Sequence, residues 1–265
     1  MEKYSFDSEN HIHKIGDKPL CGTSTVCGII AKPLTWWASG MAVSVMGWSN
    51  KKITDKNVRL EKAKGALQAI KELEAPEYLD LLDKAYQAHN EKKEISAEAG
   101  TDMHALLEKY VKLMITDQAG LPMEMNSYEH PAVEQFVKWA KENVKRFLAS
   151  EIYLYSREQW LGGICDVIYE DLKGDTYIGD FKSSKDAYFS QFLQTALYHI
   201  QLTENNGGFD KDGNKILELN GGIKGYAIFP FGSDFKEPTI RYASEDWTMA
   251  GIGAVKLYKL NQATN

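Results

Sequence analysis

Cysteine is scarce in this sequence of 265 residues: Cys21, Cys27 and Cys165 are the whole complement. The count is odd and no two stand in a CxxC pair. They cannot furnish a four-cysteine zinc or iron–sulfur site, and they read as reduced thiols of a cytoplasmic protein. Long apolar runs are missing too. Crossing a bilayer takes ~20 residues, and the apolar stretch over 36–48 is broken by Ser39, Gly40, Ser44 and Gly47. It reads as a buried helix, so no membrane is expected among the partners. Met1 is followed by Glu2, Lys3 and a polar stretch, which gives no sign of a secretory leader. An excess of basic charge is also absent, with a net charge of -6 and a pI near 5.6. That excludes a protein coated in positive charge for indiscriminate nucleic-acid binding. A local basic groove remains compatible with it, and a metal site needs carboxylates in any case.

No internal repeat, low-complexity tract or linker is visible. Residues 208–215 lack the Gly-Lys-Ser/Thr ending of a phosphate-binding loop. The run Asp210-Lys211-Asp212-Gly213-Asn214 lacks the spacing to a final glutamate that a calcium loop requires, and reads as a hairpin turn. What is present is an ordinary globular balance, 43% hydrophobic and 26% charged. One α/β domain over 1–265 is the simplest account, with strands and helices over 1–95 and a core over 96–265. Short strands and a Gly-Asp turn are expected in the first 30 residues. Helices are expected over 33–47, over 56–93 with an interruption at Ala75-Pro76, over 96–114 and over 131–148, with a break at 120–122. The period then changes from helical to alternating. Strands are expected over 151–155, 163–169 and 176–182, with Lys173-Gly174-Asp175 turning the last two. A helix over 190–202, strands over 221–229 and 239–242, and a closing helix over 247–260 complete the pattern.

Charge in the wrong place marks the chemistry. In Tyr177-Ile178-Gly179-Asp180-Phe181-Lys182, side chains alternate faces, so Asp180 and Lys182 point the same way from a strand that is otherwise apolar. Charges there are costly unless paired or used. Asp166 is a lone carboxylate within Gly163-Ile164-Cys165-Asp166-Val167-Ile168. A hairpin across the Lys173-Gly174-Asp175 turn would bring Asp166 and Asp180 together. Two carboxylates and a backbone carbonyl make a hard oxygen site for Mg²⁺ or Mn²⁺. Such an ion polarises a scissile phosphate and acidifies a bound water, while Lys182 orients that water or offsets charge on phosphorus. The bland alternative is a buried Asp–Lys ion pair.

Two helices add to this. Gln191, Gln194 and Tyr198 share one helical face, opposite Leu193, Ala196, Leu197 and Ile200. That face is either solvated or lines a groove where amide and phenol groups contact DNA phosphate. Upstream, His104 and Glu108 stand one turn apart, offset from the stripe Met103, Leu106, Leu107, Tyr110 and Met114. They are either a histidine–glutamate pair or a histidine beside the metal.

In order, Gly162-Gly163-x-x-Asp166, Ile178-Gly179-Asp180-Phe181-Lys182-Ser183-Ser184-Lys185 and Gln194-x-x-x-Tyr198 resemble the RecB-like branch of the PD-(D/E)XK nuclease superfamily. Gly100-Thr101-x-x-His104-x-x-x-Glu108 looks like that branch's extra histidine motif. Gly22-Thr23-Ser24-Thr25-Val26, leading to Leu34-Thr35-Trp36-Trp37-Ala38, is similar to the N-terminal pattern of phage-type and mitochondrial single-chain exonucleases. The resemblance runs from about residue 10 to about residue 200. It implies a restriction-endonuclease-like central mixed sheet flanked by helices, and a Mg²⁺-dependent DNA exonuclease of phage or recombination and repair type. It implies Asp166, Asp180 and Lys182 as catalytic residues. Asp166 and Asp180 are the implied metal ligands, with His104 as an accessory and Glu151 as the candidate for a further acidic position. Gln191, Gln194, Tyr198, Ser183 and Lys185 become the substrate contacts. Asp180 stands where many relatives have glutamate, a variation common in this branch. The cysteine-rich members that hold an iron–sulfur cluster are not matched. A structure-specific endonuclease or flap nuclease, and a catalytically idle DNA-binding scaffold, are the alternatives. DNA is the expected partner, in the cytoplasm (the host's, for a phage protein), with a homo-oligomer or a recombination protein as further partners. Lys182, Lys185, Lys224 and Arg241 would line a basic interior, or are solvated surface.

Overall fold

Three blocks of β-branched and aromatic residues between 144 and 182 build the middle of the fold. A computed structural model describes residues 2–30, 35–48, 53–116, 130–231 and 235–263. In chain order the elements are β1 (Tyr4–Asp7), β2 (Ile12–Ile15), β3 (Lys18–Pro19), β4 (Cys21–Gly22), α1 (Thr23–Cys27), α2 (Thr35–Val45), α3 (Lys56–Lys71), α4 (Ala75–Thr116) and α5 (Pro131–Asn143). They continue with β5 (Val144–Ser156), β6 (Leu161–Asp171), β7 (Thr176–Lys182), α6 (Phe189–Asn205), β8 (Gly207–Phe209), β9 (Lys215–Glu218), β10 (Ile223–Pro230), β11 (Thr239–Tyr242) and α7 (Glu245–Ala263). The chain divides into two compact units, one of residues 1–31 and 100–265 and the other of residues 32–99.

The larger unit is α/β. Its main sheet runs β11-β10-β7-β6-β5-β8-β9, with β4 beside β6. The β10–β7 and β4–β6 pairs are parallel and the others antiparallel, so the sheet is mixed. Alternation sends Val167, Tyr169, Tyr177 and Phe229 to one face, where Leu107 and Tyr110 of α4 and Phe136 and Trp139 of α5 cover them. Ile168, Ile178 and Ile228 join Phe192, Ala196 and Leu202 of α6 on the other. Helices therefore flank the mixed sheet on both faces, as the resemblance implied. Leu193 and Leu197 of α6 in turn pack on Ala254 and Val255 of α7. The β1–β2–β3 meander is pinned to the sheet by Tyr4, Ile15 and Leu20 against Tyr155 and Phe209. The Phe6 N–H also donates to the Lys211 carbonyl at 2.9 Å. Gly213, with φ +76, lets the β8–β9 turn pass the Tyr4 carbonyl, where a Cβ would come within 2.1 Å. The Asp210 carboxylate accepts from the backbone of Asp212 and Asn214, so that segment is the hairpin turn its spacing implied.

In the smaller unit, Asp55 caps α3 by accepting from the N–H groups of Asn57 and Val58. Gly47, in the left-handed region, lies against Ala66.

Several boundaries differ from the sequence reading. Residues 23–27 are helical rather than extended. The helix expected over 131–148 stops at Asn143, whose side-chain amide closes on the Trp139 carbonyl at 2.8 Å. The next residues belong to β5 because Lys145 and Arg146 both reach Glu170 across the β5–β6 pair. The break at Ala75-Pro76 is real, but Pro76 sits in the first turn of α4, where its missing N–H costs nothing. From there α4 runs without interruption through the helix expected at 96–114. The break expected at 120–122 lies outside the described residues. Among the described residues no helix is long and apolar enough to cross a membrane.

Candidate active site

The site begins where two strands part. β6 and β7 pair from Glu170↔Thr176 to Val167↔Gly179, and the same register sets Asp166 opposite Asp180. The backbone ladder ends before that pair. Asp166 Oδ2 instead accepts the Phe181 N–H at 2.6 Å, so a carboxylate takes the place of a carbonyl. On its other side β7 stays paired with β10 as far as Lys182↔Pro230. The two aspartates thus face a notch with one firm wall. Gly179 makes the approach possible: a Cβ there would lie 2.5 Å from Val167 Cγ1.

His104, on α4, reaches the same Asp166 oxygen through Nε2 at 3.1 Å, while Nδ1 meets the Gly100 carbonyl at 3.1 Å. Both partners are acceptors, so both ring nitrogens must donate and the ring is an imidazolium. Burial opposes that charge, but the Asp166 carboxylate outweighs it and raises the His104 pKa to about 9. The helix–sheet contact is close, since a Cβ on Gly100 would come within 2.9 Å of Ser183 Cβ. His104 does not pair with Glu108, whose carboxylate binds Lys112 one turn on.

Asp180 is fully buried. Lys182 Nζ lies 2.7 Å from its Oδ2 as an ion pair, and neither Asp180 oxygen has any other donor. Burial pushes the Asp180 pKa up, against the pull of Lys182 and with the push of Asp166. The Lys182 ammonium is penalised by burial but kept charged by Asp180 and Asp166. Cys27, at the end of α1, feels both members of this pair; burial takes its thiol up to about 12, so it is no nucleophile.

Glu151 falls between the pairs Ser150↔Val167 and Ile152↔Cys165, opposite Asp166. Its backbone is left-handed, with φ +50, a conformation that costs a non-glycine residue about 1–3 kcal/mol. Burial first, then the charges of Asp166 and Glu108, raise its pKa to about 7.

The α6 face divides. Tyr198 is buried, and its hydroxyl accepts from Gln194 Nε2 at 2.6 Å. This side is not a solvated face. Gln191 is spent on structure: its Oε1 accepts the Tyr188 N–H at 2.7 Å and its Nε2 donates to Ser184 Oγ at 3.0 Å. Ser183 and Lys185 are exposed on the loop that leaves the notch. Lys224 pairs with Asp175 at the turn end of the hairpin, 3.5 Å away, and Arg241 lies over the Phe192 ring. Neither stands at the notch.

Sequence reasoning passed over Thr23 and Gln201. Thr23 Oγ1 donates to the Gly162 carbonyl at 3.1 Å and accepts from Gln201 Nε2 at 2.8 Å, tying α1, β6 and α6 together behind the site. The signal for it was the Gly-Thr-Ser-Thr stretch, which fixes no partner. Gly162 and Gly163 earn their place by contact, because a Cβ would lie 2.3 Å from the His13 Cβ or 2.6 Å from Tyr198 Cε1.

A divalent cation fits one part of this arrangement. The buried Asp180 oxygens beside Asp166 are hard acceptors with no donor but Lys182. Among the described residues no three histidine, cysteine or acidic side chains close into a ready-made cage; an ion here would rest on the two aspartates, with Glu151 opposite Asp166 on β5. His104, with both nitrogens engaged, holds Asp166 in place. A scan against protein-family models gave no match to this chain, and a search of curated proteins gave none either.

Proposed function

We propose that this protein is a Mg²⁺- or Mn²⁺-dependent DNA nuclease with a restriction-endonuclease-like core, acting as an exonuclease in phage or recombination DNA processing. The observation that carries the reading is the parted β6–β7 hairpin. It sets Asp166 against Asp180 and leaves the Asp180 oxygens with no donor but the Lys182 ammonium. A structural ion pair would satisfy its carboxylate.

Asp166 and Asp180 would hold the ion, with Glu151 opposite Asp166 on β5. When bound, the ion polarises the phosphate and lowers the pKa of a water. The residues of the chain do the rest. His104 and the Phe181 N–H fix Asp166 Oδ2, so the ligand geometry is set before substrate arrives. Lys182 carries positive charge at the notch, where phosphoryl oxygens gain negative charge in the transition state. Gln194 orients the Tyr198 hydroxyl behind the aspartates. Ser183 and Lys185 stand exposed on the adjoining loop, where they would contact the DNA backbone.

The test is digestion of 5′- and 3′-end-labelled linear DNA and of covalently closed circles with Mg²⁺, comparing wild type with Lys182→Ala. Linear DNA should be degraded by the wild type alone. Equal activity in the variant sinks the site. Cleavage of closed circles replaces the exonuclease by an endonuclease, and no activity on any DNA leaves the scaffold reading.

A further inference from the structure

The closing helix α7 is apolar on two sides, and the fold covers one of them. Gly251, Ala254 and Val255 are buried, the last two against Val26 and Cys27 of α1 and Leu193 and Leu197 of α6. On the other side Met249, Leu257 and Leu260 are 59%, 55% and 65% exposed. Met249, Gly253, Lys256, Leu257 and Leu260 stand at i, i+4, i+7, i+8 and i+11, which makes one stripe about 16 Å long. Lys256 is the one charge within it, and a lysine stem lies readily along apolar surface. Gly253 is its middle, and a Cβ placed there would meet nothing within 4 Å. The stripe faces away from α6 and takes no part in the chemistry at the notch.

The charges around the stripe say what covers it. Glu245 and Asp246 stand in the first turn of α7, and Lys256 and Lys259 in its second half. Two such helices set antiparallel about a two-fold axis at Gly253 place Met249 of each copy on Leu257 of the other. Lys259 then falls opposite position 247 of the other copy, about 3 Å along the axis from Glu245, and Lys256 opposite position 250, about 6 Å from Asp246. Lysine side chains span such offsets. A parallel pair would set Glu245 on Glu245 and Lys259 on Lys259, so charge selects the antiparallel one. The stripe is therefore complementary to itself, as a two-fold contact requires.

One flank adds a pocket. Thr248 and Ile252 line a cavity of about 370 Å³ together with Ile200 and Glu204 of α6 and Glu158 of the β5–β6 turn. Lys259 lies on this flank, at i+7 from Ile252 and i+11 from Thr248. The two-fold axis brings the second copy's Lys259 to the cavity mouth beside Thr248. There the isoleucines suit its methylene stem and the glutamates its ammonium.

We infer that the exposed side of α7 docks a second copy of this chain, as an antiparallel two-fold helix pair centred on Gly253. A single helix pair covers less than the ~1,200 Å² of a standard interface, so the association is weak and rises with concentration. It does not rest on the nuclease reading.

The test is the oligomeric state of the full chain, by sedimentation equilibrium up to about 1 mM. The wild type should pass from monomer to dimer as concentration rises. Lys259→Glu and Glu245→Lys should each weaken the dimer about tenfold, because each removes two symmetry-related ion pairs and sets like charges together. The two combined should restore it. Leu257→Asp should abolish it. These three positions are exposed, so circular dichroism should not change. Gly253→Cys, oxidised with copper phenanthroline, should give a disulfide-linked dimer, since the axis brings the two positions within bridging distance. The wild type, with Cys21, Cys27 and Cys165, should not. A wild type still monomeric at the highest concentration gives the stripe to another partner and overturns the inference. A dimer unmoved by Leu257→Asp, or a charge swap that fails to restore association, overturns it too. None of these readouts depends on whether the chain cleaves DNA.

Discussion

Glu170 and Asp180 lie on neighbouring strands of one sheet, and both are buried, 7% and 0% exposed. Their surroundings are opposite. Glu170 Oε1 accepts from Lys145 at 2.5 Å, and Oε2 accepts from Arg146 Nε and Nη2 at 2.9 and 2.7 Å, a bidentate clasp. These hydrogen bonds hold its pKa below the usual carboxylate range. Asp180 has one cation beside Oδ2 and no other donor on either oxygen, and its pKa is pushed the other way. One buried carboxylate has spent its acceptor capacity on the fold, and the other has kept it. A buried unsatisfied acceptor costs about 1–3 kcal/mol, more when charged. A fold carries such a group where something outside the chain completes it. The contrast separates a carboxylate that holds β5 to β6 from one whose acceptor capacity the described residues leave largely open.

The sharpest way to break the comparison is to remove each charge in turn. Asp180→Asn is isosteric and removes the stressed charge. Mg²⁺-dependent cleavage should fall by about a thousandfold or more, the scale of losing transition-state charge stabilisation, while circular dichroism stays that of the folded protein. Activity within tenfold of wild type would make Asp180 structural and return the hairpin to a plain ion pair.

Glu170→Gln should show the reverse, with cleavage unchanged and stability reduced. The expected loss is about 1–2 kcal/mol in denaturant unfolding at pH 7, held to that range because Lys145 and Arg146 are half in solvent. The pH dependence has a definite sign. The Glu170 pKa is lower folded than unfolded, so its contribution is complete above the ordinary value of 4.5. It is lost as pH falls through the folded value. The gap between wild type and Glu170→Gln should therefore be full at pH 7 and close on acidification below 4.5. A gap that widens in acid contradicts the clasp.

These two sites were unequally visible in the sequence, for a physical reason. Asp166, Asp180 and Lys182 stand out because strand alternation places charge where apolar side chains belong. The order of strands and helices was readable from the same periodicity over 161–205. Glu170 gave no such signal, because Lys145 and Arg146 sit in a stretch that reads as the end of a helix. Their role appears only once β5 is paired in register with β6. The left-handed backbone at Glu151 and the His104–Asp166 bond are likewise properties of packing. His104 and Asp166 are 62 positions apart, and a local reading supplied Glu108, one turn away. Local pattern reports which side chains are out of place; long-range register decides what they meet.

The smallest expected effect is the most discriminating. Asp180→Asn combined with Lys182→Met removes both charges at the notch and keeps their volumes. Replacing both members of a buried ion pair by neutral groups of like volume is often neutral or stabilising, whereas removing one member strands the other's charge. The double variant should unfold within about 1 kcal/mol of wild type, or above it, while being inert on DNA. Lys182→Met alone, which leaves the Asp180 charge uncompensated, should cost about 3 kcal/mol. The matching pair at the clasp, Glu170→Gln with Arg146→Met, should lose stability and keep activity. If the notch double variant instead loses more than the clasp pair, Asp180 and Lys182 are the structural ion pair. Glu170 would then no longer be the better-satisfied carboxylate.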